Sequence, residues 1–268
     1  MHPLAAHAIT ALDLGPCQVM ALHGGDLSVV VRLVPESGAP VVAKSAPQAE
    51  TEAAMLQALA AAGAPAPAVL AAQPGLLVLQ DLGADTGLGA AWAHLGTVLA
   101  QLHAATGPHY GWSCDYAFGA VEIRNAPLDD WPSFWGMRRL LPFLPDLPAE
   151  LACRVEGLAR RLPELLPATP PAALLHGDLW VGNIMANGPQ VTGLIDPASY
   201  YGDAEVDLAM LSLFGRPAPA FWAAYGALPP GAEIRRAIYQ LFPALVHFRL
   251  FGAGYRGLVT RCLDAVGA

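Results

Sequence analysis

Lysine is nearly missing from this chain of 268 residues: among its 14 basic residues Lys44 is the one lysine, and the others are arginine. The 22 acidic residues outnumber the basic ones and give a formal net charge of −8. Nucleic-acid binding needs a basic face for the phosphates, so no nucleic-acid partner is expected. Adjacent arginines are expected on solvated helix faces and occur at Arg138–Arg139, Arg160–Arg161 and Arg235–Arg236.

Paired cysteines and long apolar runs are also missing. The four cysteines are spread through the chain without a C-x-x-C pair, so neither a disulfide framework nor a zinc site is expected. No apolar run approaches about 18 uninterrupted residues, and the first residues lack the basic and long apolar stretches of a secretion signal. These absences predict a cytoplasmic protein without a membrane span.

Hydrophobic residues make up 54% of the chain, enough for a sizeable core. β-branched runs between Gly and Pro turns predict strands early in the chain, and a 3.6-residue period predicts helices from Ala90 onward. The predicted fold is therefore α+β, with a small β-rich lobe over residues 1–82 and a larger, mostly helical lobe over 83–268. The predicted strands are Gln18–Leu22, Ser28–Val34, Val41–Ala43 and Leu76–Leu79, and the main helix of the small lobe is Ala49–Ala62. The later helices include Ser133–Leu144, Ala149–Leu166 and Ile234–Leu263.

Three polar residues stand out in the stretch Leu174–Tyr201. Asp178 and Asn183 are five residues apart, and a predicted hairpin with an Asn187–Gly188 turn returns the chain to Asp196. This is the spacing of a kinase catalytic centre, H-x-D-x-x-x-x-N followed by a second Asp. The alternative is that each residue only caps a turn, as most loop Asp and Asn residues do.

Each of these residue types suits one task in phosphoryl transfer. Asp178 could accept the proton of an attacking hydroxyl, while an amide oxygen of Asn183 and a carboxylate of Asp196 are hard ligands suited to Mg²⁺. His176 is expected to orient the loop rather than transfer a proton. The chain then runs within a few residues from Asp196 to the next helix, which leaves no room for the peptide platform of a protein kinase. A small-molecule acceptor is therefore predicted.

Lys44 ends a predicted strand after Val41–Val42–Ala43, as the lysine of V-A-I-K does in kinases, where it contacts nucleotide phosphates and pairs with a helix carboxylate. Glu50 and Glu52 both lie on the following helix. Glu52 shares the apolar stripe that faces the sheet, so it is the predicted partner, and Glu50 is expected to favour the helix N-terminus.

Two further segments are candidates for nucleotide contact. Gly24 and Gly25 lie in the connection Gly24–Ser28, which also contains Asp26 and Leu27, and paired glycines let backbone amides approach an anion. Gln80, Asp81 and Leu82 follow an apolar strand where a two-lobed kinase crosses between its lobes. Residues 107–132 are predicted to form a long irregular loop with several aromatic residues, which could contact an acceptor or pack on the helical lobe.

The sequence resembles the fructosamine kinase, or ketosamine 3-kinase, family of the aminoglycoside phosphotransferase-like kinases. The motifs that carry the resemblance are LLHGDLWVGN at 174–183, IDPASYYGDAEVDLAMLSLFG at 195–215, VVAK at 41–44, ETEAAMLQAL at 50–59 and DDWPSFW at 129–135. It extends over nearly the whole chain.

This resemblance implies a protein-kinase-like fold, ATP and Mg²⁺ as cofactors, and phosphorylation of the C3 hydroxyl of a ketosamine, a small or protein-attached sugar-amine adduct that is thereby removed. It implies that Asp178 accepts the proton, Asn183 and Asp196 bind metal, Lys44 and Glu52 position phosphates, and residues 80–82 contact adenine. Trp180 is similar to a tryptophan against which the sugar lies, and His176, Asp129 and Trp131 are further candidate acceptor residues. Two alternatives stay open: a kinase of another small alcohol, such as an aminoglycoside or choline-like amine, and a nucleotide-binding pseudokinase. A monomer is favoured.

Overall fold

The computed structural model describes residues 2–22 and 28–268. In the described N-terminal part, five antiparallel strands form one sheet in the order β1-β2-β3-β5-β4. The strands are β1 Cys17–Leu22, β2 Val30–Pro35, β3 Val41–Lys44, β4 Val69–Gln73 and β5 Leu76–Gln80. The strand β4 was not predicted. Its alanines give a weak strand signal, but the Pro74–Gly75 turn before β5 is a hairpin signal that could have revealed it.

Two helices pack on the sheet, α1 Pro3–Ala11 and α2 Ala49–Ala61. The alternation of side chains along β5 explains this arrangement: Leu76 and Val78 join the cluster formed with α1, whereas Leu77 and Leu79 join the cluster formed with α2. All four side chains are buried, so β5 is apolar throughout and does not alternate with polar residues. The prediction of a strand-rich N-terminal part with one long helix agrees with these elements.

Helices dominate the rest of the chain. They are α3 Trp92–Ala104, α4 Trp131–Trp135, α5 Ala149–Leu165, α6 Glu205–Leu211, α7 Pro219–Tyr225, α8 Ala232–Phe251 and α9 Arg256–Ala265. Short two-stranded ladders join them: β6 Tyr116–Phe118 with β7 Val121–Ile123, β8 Ala173–Leu174 with β11 Tyr201–Gly202, and β9 Ile184–Asn187 with β10 Gln190–Leu194. Within the described residues, no helix is both long and apolar enough to cross a membrane.

Two predicted helices are interrupted in the structure. The predicted helix Ser133–Leu144 consists of α4, a π-helical turn Gly136–Leu140 and a 3₁₀ segment Leu141–Asp146, since Pro142 has no N–H for a helical hydrogen bond. The predicted helix Ile234–Leu263 breaks at Gly252, whose φ of +80° ends α8 before a short 3₁₀ segment and α9.

Residues 107–135, called here the acceptor segment, are more ordered than predicted. The segment contains the β6–β7 hairpin and α4, and isolated bridges join Tyr110 to Leu128 and Gly111 to Tyr201. Tyr110 and Trp131 are buried in the main core beside Trp135 and Tyr239. The expectation of a long irregular loop is therefore wrong, because aromatic side chains fix this segment to the helical part.

Arg139 corrects another expectation, since it is fully buried and does not lie on a solvated helix face. Its guanidinium donates to the Arg124 carbonyl at 2.6 Å and to Asn125 Oδ1 at 2.7 Å. It also stacks over aromatic rings, with Cζ 4.2 Å from the centroid of Tyr200. Carbonyl oxygens and ring faces together replace the solvent that a buried arginine loses.

Candidate active site

The candidate catalytic loop follows β8 and is held from behind by Asp207. The backbone N–H groups of His176 and Gly177 donate to Asp207 Oδ2 and Oδ1 at 2.7 and 2.9 Å. Gly177 has a φ of +84°, and a Cβ at this position would lie 2.0 Å from the Ala198 carbonyl oxygen, so only glycine fits. Asp207 therefore braces the loop through its backbone amides.

A histidine and a tyrosine complete the support of Asp207. His103 Nε2 lies 3.3 Å from Asp207 Oδ2, and His103 Nδ1 lies 2.9 Å from the Tyr225 hydroxyl. Burial alone would raise the pKa of Asp207, but hydrogen bonds from His103 and from the Gly177 amide, with the charge interaction with His103, hold this pKa below its ordinary value. Asp207 therefore remains an ionised acceptor for the loop amides.

His176 has no exposed surface, which corrects its placement among the acceptor-contacting residues. Its Nε2 lies 2.9 Å from the Ile195 carbonyl, and its Nδ1 accepts from the Asp178 N–H at 3.3 Å. Burial lowers the pKa of His176, so the ring is neutral and carries its proton on Nε2. His176 thus joins the Asp178 loop to the strand end that precedes Asp196, and this is the orienting role expected from sequence.

Asp178 is partly buried and is fixed by Asn183. Asn183 Nδ2 donates to the Asp178 carboxylate at 3.1 Å and to its carbonyl oxygen at 2.8 Å. Burial raises the pKa of Asp178 to about 7 against the hydrogen bond from Asn183, and the nearby carboxylates of Asp196 and Asp207 act in the same direction as burial. A carboxyl group with a pKa near neutrality is suited to taking up a proton at neutral pH.

The β9–β10 hairpin returns the chain from Asn183 to Asp196, as the sequence predicts. The Ile195 N–H donates to the Asn183 carbonyl at 3.0 Å and closes the hairpin. Asp196 adopts a φ of +55°, an uncommon left-handed conformation, although Pro197 follows it and favours extended backbone. Such conformations in non-glycine residues cluster at functional sites, where the surrounding structure enforces them.

Lys44 connects the N-terminal sheet to this hairpin. Its Nζ donates to Glu52 Oε1 at 2.8 Å and to Asp196 Oδ1 at 2.9 Å. Burial alone would lower the pKa of Lys44, but the Glu52 and Asp196 carboxylates outweigh it and hold this pKa above its ordinary value. The structure places Glu52 beside Lys44 and leaves Glu50 exposed, as the apolar stripe of α2 predicts. Lys44, Glu52, Asp178, Asn183 and Asp196 are called the catalytic cluster below.

Tyr116 is a member of the site that sequence reasoning left undecided. It lies on β6 in the acceptor segment, and its hydroxyl is 3.4 Å from Glu52 Oε2. Burial, reinforced by the Glu52 carboxylate, raises the pKa of Tyr116, which therefore stays a neutral donor. Gly119, which lies with Ala120 in the turn of this hairpin, was the available signal that the segment has a fixed structure.

The side chains of the three predicted adenine-contacting residues, Gln80, Asp81 and Leu82, make different contacts within the protein. Asp81 pairs with Arg32 and accepts from the Gly83 N–H at 2.8 Å. Leu82 covers Gly193, where a Cβ would lie 2.2 Å from Leu82 Cδ1. Gln80 ends β5, and its side chain accepts from the Ala68 N–H at 3.3 Å. Within the described part of the chain, the backbone N–H and C=O of Leu82 have no hydrogen-bond partner, so Leu82 retains free groups for a ligand.

The remaining candidates fall into three groups. Gly24, Gly25, Asp26 and Leu27 lie outside the described residues, and Ser28 is partly exposed just before β2. Trp180 is 37% exposed directly after the catalytic loop, and Asp129 is exposed beside His109. Trp131 is fully buried and donates from Nε1 to the Tyr239 hydroxyl at 2.9 Å. Its assignment as an acceptor contact is wrong, because its ring lies in the core and cannot reach a ligand.

Comparison with known proteins now assigns the family. The fructosamine kinase family matches residues 16–267. The chain belongs to the fructosamine kinase family. A ketoamine kinase assigned in Thermus thermophilus is 36% identical over 99% of this chain and all of that protein. One assigned in Synechocystis is 39% identical over 67% of this chain, and the match spans 63% of its own length.

Solved structures agree with this family assignment. A protein of Thermobifida fusca assigned as a fructosamine-3-kinase has a TM-score of 0.90 at 28% identity, over 99% of both chains. An aminoglycoside phosphotransferase bound to AMP-PNP and hygromycin B has a TM-score of 0.69 at 17% identity, over 97% of both chains, and shows the fold alone. The predicted α+β, protein-kinase-like fold is confirmed.

Two side chains of this fructosamine kinase family member, Asn183 and Asp196, could hold a magnesium ion. Among the described residues, no group of three or more His, Cys, Asp or Glu side chains could hold a metal ion. Because its Nδ2 donates to Asp178, Asn183 can present its amide oxygen elsewhere, and Asp196 keeps one carboxylate oxygen beyond the one that Lys44 contacts. One amide and one carboxylate suit Mg²⁺, which usually takes its other ligands from water and phosphate oxygens.

Proposed function

We propose that this fructosamine kinase family member transfers the γ-phosphate of ATP to the C3 hydroxyl of a ketosamine. The observation that carries the proposal is the bridge from Lys44 to both Glu52 and Asp196, at 2.8 and 2.9 Å, with Asp178 fixed by Asn183 beside it. The presence of all five residues of the catalytic cluster argues against a nucleotide-binding protein that does not catalyse transfer. Its relatives assigned as ketoamine and fructosamine-3-kinases support a sugar-amine acceptor.

The chain's own residues would divide the chemistry as follows. Asp178 orients the C3 hydroxyl and takes its proton, and the Asn183 amide holds the Asp178 carboxylate in position. Lys44 neutralises phosphate charge, and Glu52 fixes the direction of its side chain. Asn183 and Asp196 would hold Mg²⁺, which neutralises charge on the transferred phosphoryl group when bound. The cluster is held mainly by fixed hydrogen bonds, so little reorganisation accompanies transfer.

The proposal divides the chain at residue 82. Residues 1–82 would bind the nucleotide, with the backbone of residues 80–82 at the adenine and the backbone of Gly24–Ser28 at the phosphates. Residues 83–268 would supply the catalytic loop and the acceptor site. Trp180 is partly exposed two residues after Asp178, and aromatic side chains of this kind suit sugar rings. Phosphorylation at C3 would destabilise the adduct and release the amine, so the protein would act in deglycation.

A direct assay tests this function. The full chain is incubated with ATP, Mg²⁺ and ribulosamine, erythrulosamine or fructosamine derivatives. Phosphorus NMR then determines which oxygen of the product carries the phosphate. We expect transfer to the C3 oxygen of at least one ketosamine. Parallel reactions contain an aminoglycoside or choline, and turnover of these alone would assign another small-alcohol kinase. Nucleotide binding without turnover of any acceptor would indicate a pseudokinase and overturn the proposal.

A further inference from the structure

A cavity lies beside the catalytic loop and outside the catalytic cluster. It has a volume of about 540 Å³ and is lined by Ser212, Gly215, Arg216, Pro217, Trp222 and Arg236. These residues, called here the arginine pocket, come from the segment after α6 and from α7 and α8. Two arginines therefore line one open cavity in a chain whose formal net charge is −8.

Both arginines lack a protein partner within the described part of the chain. Most of the other arginines donate to a carboxylate or a carbonyl oxygen, for example Arg154 to Asp264 and Arg256 to Glu150. Arg261 on α9 is the third arginine for which the described chain provides no such acceptor. Two of these three thus line the same cavity, and neither of them makes a direct ion pair within the described residues.

The charge of Glu205 interacts with that of Arg236, but neither arginine of the pocket donates to this carboxylate. Glu205, the nearby carboxylate, is already bound by Arg235 through both oxygens at 2.6–3.1 Å. At the end of α6, the Leu208 carbonyl accepts from Ser212 Oγ at 2.8 Å, and the Met210 carbonyl accepts from the Leu213 N–H at 3.0 Å. Helix-end carbonyls can attract a cation, but other donors already bind these two oxygens.

The arginine pocket is next to the acceptor side of the catalytic loop. A Cβ at Gly215 would lie 3.6 Å from Val181 Cγ1, and Val181 directly follows Trp180. Trp180, Val181 and Gly215 are all exposed, so the surface from the proposed sugar position to the pocket is open to solvent. Val181 follows Asp178 by three residues, and three residues of chain span at most roughly 10 Å. Gly215, in the wall of the pocket, contacts Val181 and is therefore within reach of a substituent on an acceptor at Asp178.

We propose that the arginine pocket binds an anionic group, a carboxylate or a phosphate, carried by the acceptor. Two guanidinium groups offer paired N–H donors that match the oxygens of either anion, and Trp222 supplies an apolar wall for a connecting alkyl chain. This inference rests on the proposed ketosamine kinase function and adds the class of acceptor. The enzyme would favour sugar adducts of free amino acids, through their carboxylate, or sugar-phosphate adducts over neutral ketosamines.

Matched acceptors test the proposal on the full chain. The first pair is Nα-acetyl-Nε-ribulosyl-lysine and its carboxamide, which differ only in the charge of the carboxyl end. The second pair is a ribulosamine of a neutral amine with and without a 5-phosphate. For one anionic member we expect kcat/KM to be about 10- to 100-fold higher than for its neutral partner, mainly through KM. The pair that shows the preference identifies the source of the anion.

Variants assign the preference to the pocket. In the double variant Arg216→Gln/Arg236→Gln, the ratio of kcat/KM for the charged acceptor to kcat/KM for the neutral one should fall to about one. The matched control Arg160→Gln/Arg261→Gln removes the same charge from exposed positions away from the pocket, and its ratio should stay at the wild-type value. Thermal unfolding of both variants checks that they are folded.

The outcomes separate the two proposals. Equal kcat/KM for charged and neutral ketosamines in the wild type would overturn the arginine pocket as an anion site while leaving ketosamine phosphorylation intact. A preference that persists in Arg216→Gln/Arg236→Gln would also overturn it. Absence of turnover on every ketosamine would instead overturn the proposed function, and the inference with it.

Discussion

The catalytic cluster and the acceptor segment are built from different kinds of contact. In the catalytic cluster, charged and amide side chains from α2, β3, the catalytic loop and the two ends of the β9–β10 hairpin hold one another by hydrogen bonds of 2.8–3.1 Å. In the acceptor segment, large rings pack on the core, as when Trp131 stacks on Phe134 with centroids 5.5 Å apart. One region depends on charge geometry and the other on apolar packing.

The difference shows how the two regions depend on each other. Buried charges are stable only where partners replace the lost water, and Glu52 finds such partners in Lys44 and in the Tyr116 hydroxyl. Tyr116 belongs to the acceptor segment, so the packed aromatic region supplies a hydrogen bond to the charged one. Changes in the catalytic cluster should therefore affect turnover, whereas most changes in the acceptor segment should affect stability.

Asp178→Asn should produce the largest effect on activity. We expect kcat to fall by roughly 10²- to 10⁴-fold, about 3–5 kcal/mol of barrier, because an amide cannot take the proton of the acceptor hydroxyl. The KM for ATP should change little. Steady-state kinetics with a ketosamine and ATP measure both quantities, and near-wild-type turnover would remove Asp178 from its assigned role.

Trp131→Ala and Trp180→Ala compare a buried tryptophan with an exposed one. Trp131 is fully buried, so its truncation should lower the free energy of unfolding by about 3–5 kcal/mol. Trp180 is 37% exposed, and its truncation should cost less than about 1 kcal/mol but raise the KM for the acceptor. Urea denaturation and acceptor kinetics give the two readouts. A large stability loss in Trp180→Ala, with acceptor KM unchanged, would contradict the position assigned to its ring.

The catalytic cluster could be predicted because its chemistry restricts residue types and spacing. Asp178, Asn183 and Asp196 lie close in sequence, and one hairpin brings them together. Lys44 was recognisable as the single lysine, and the apolar stripe of α2 distinguished Glu52 from Glu50. Local periodicity and spacing were sufficient to predict these residues, because their identification required knowledge of few long-range contacts.

The acceptor segment was harder to predict because its order comes from distant contacts. Trp131 is buried by Tyr239, which follows it by 108 residues, and Arg139 is buried against Tyr200 and Phe242. An aromatic or arginine residue in a short irregular sequence has the same local pattern whether it faces solvent or the core. The sequence therefore predicted that Trp131 contacts a ligand and that Arg139 lies on the surface. Both predictions are wrong, because tertiary packing buries both side chains.

Lys44→Met should weaken both stability and nucleotide use. It leaves the Glu52 carboxylate buried without its cation, at a cost of about 3 kcal/mol, and we expect a higher KM for ATP with a lower kcat. Glu52→Gln should reproduce part of this loss, and Glu50→Gln is its matched control because Glu50 is exposed two residues away on the same helix. Chemical denaturation and ATP kinetics test the series, and equal effects of the two glutamate variants would contradict the Lys44–Glu52 pair.

Tyr116→Phe should give the smallest effect and tests the contact between the two regions directly. The hydroxyl lies 3.4 Å from Glu52 Oε2, a long hydrogen bond, so its loss should cost about 0.5–1 kcal/mol and raise the KM for ATP a few-fold at most. Tyr110→Phe is a matched control in the same segment, because its hydroxyl donates to the Pro170 carbonyl at 2.6 Å, away from the catalytic cluster. Tyr110→Phe should therefore lower stability without changing ATP kinetics. If both variants left the KM for ATP unchanged, the Tyr116 hydroxyl would contribute nothing to holding Glu52, and the acceptor segment would support the catalytic cluster by packing alone.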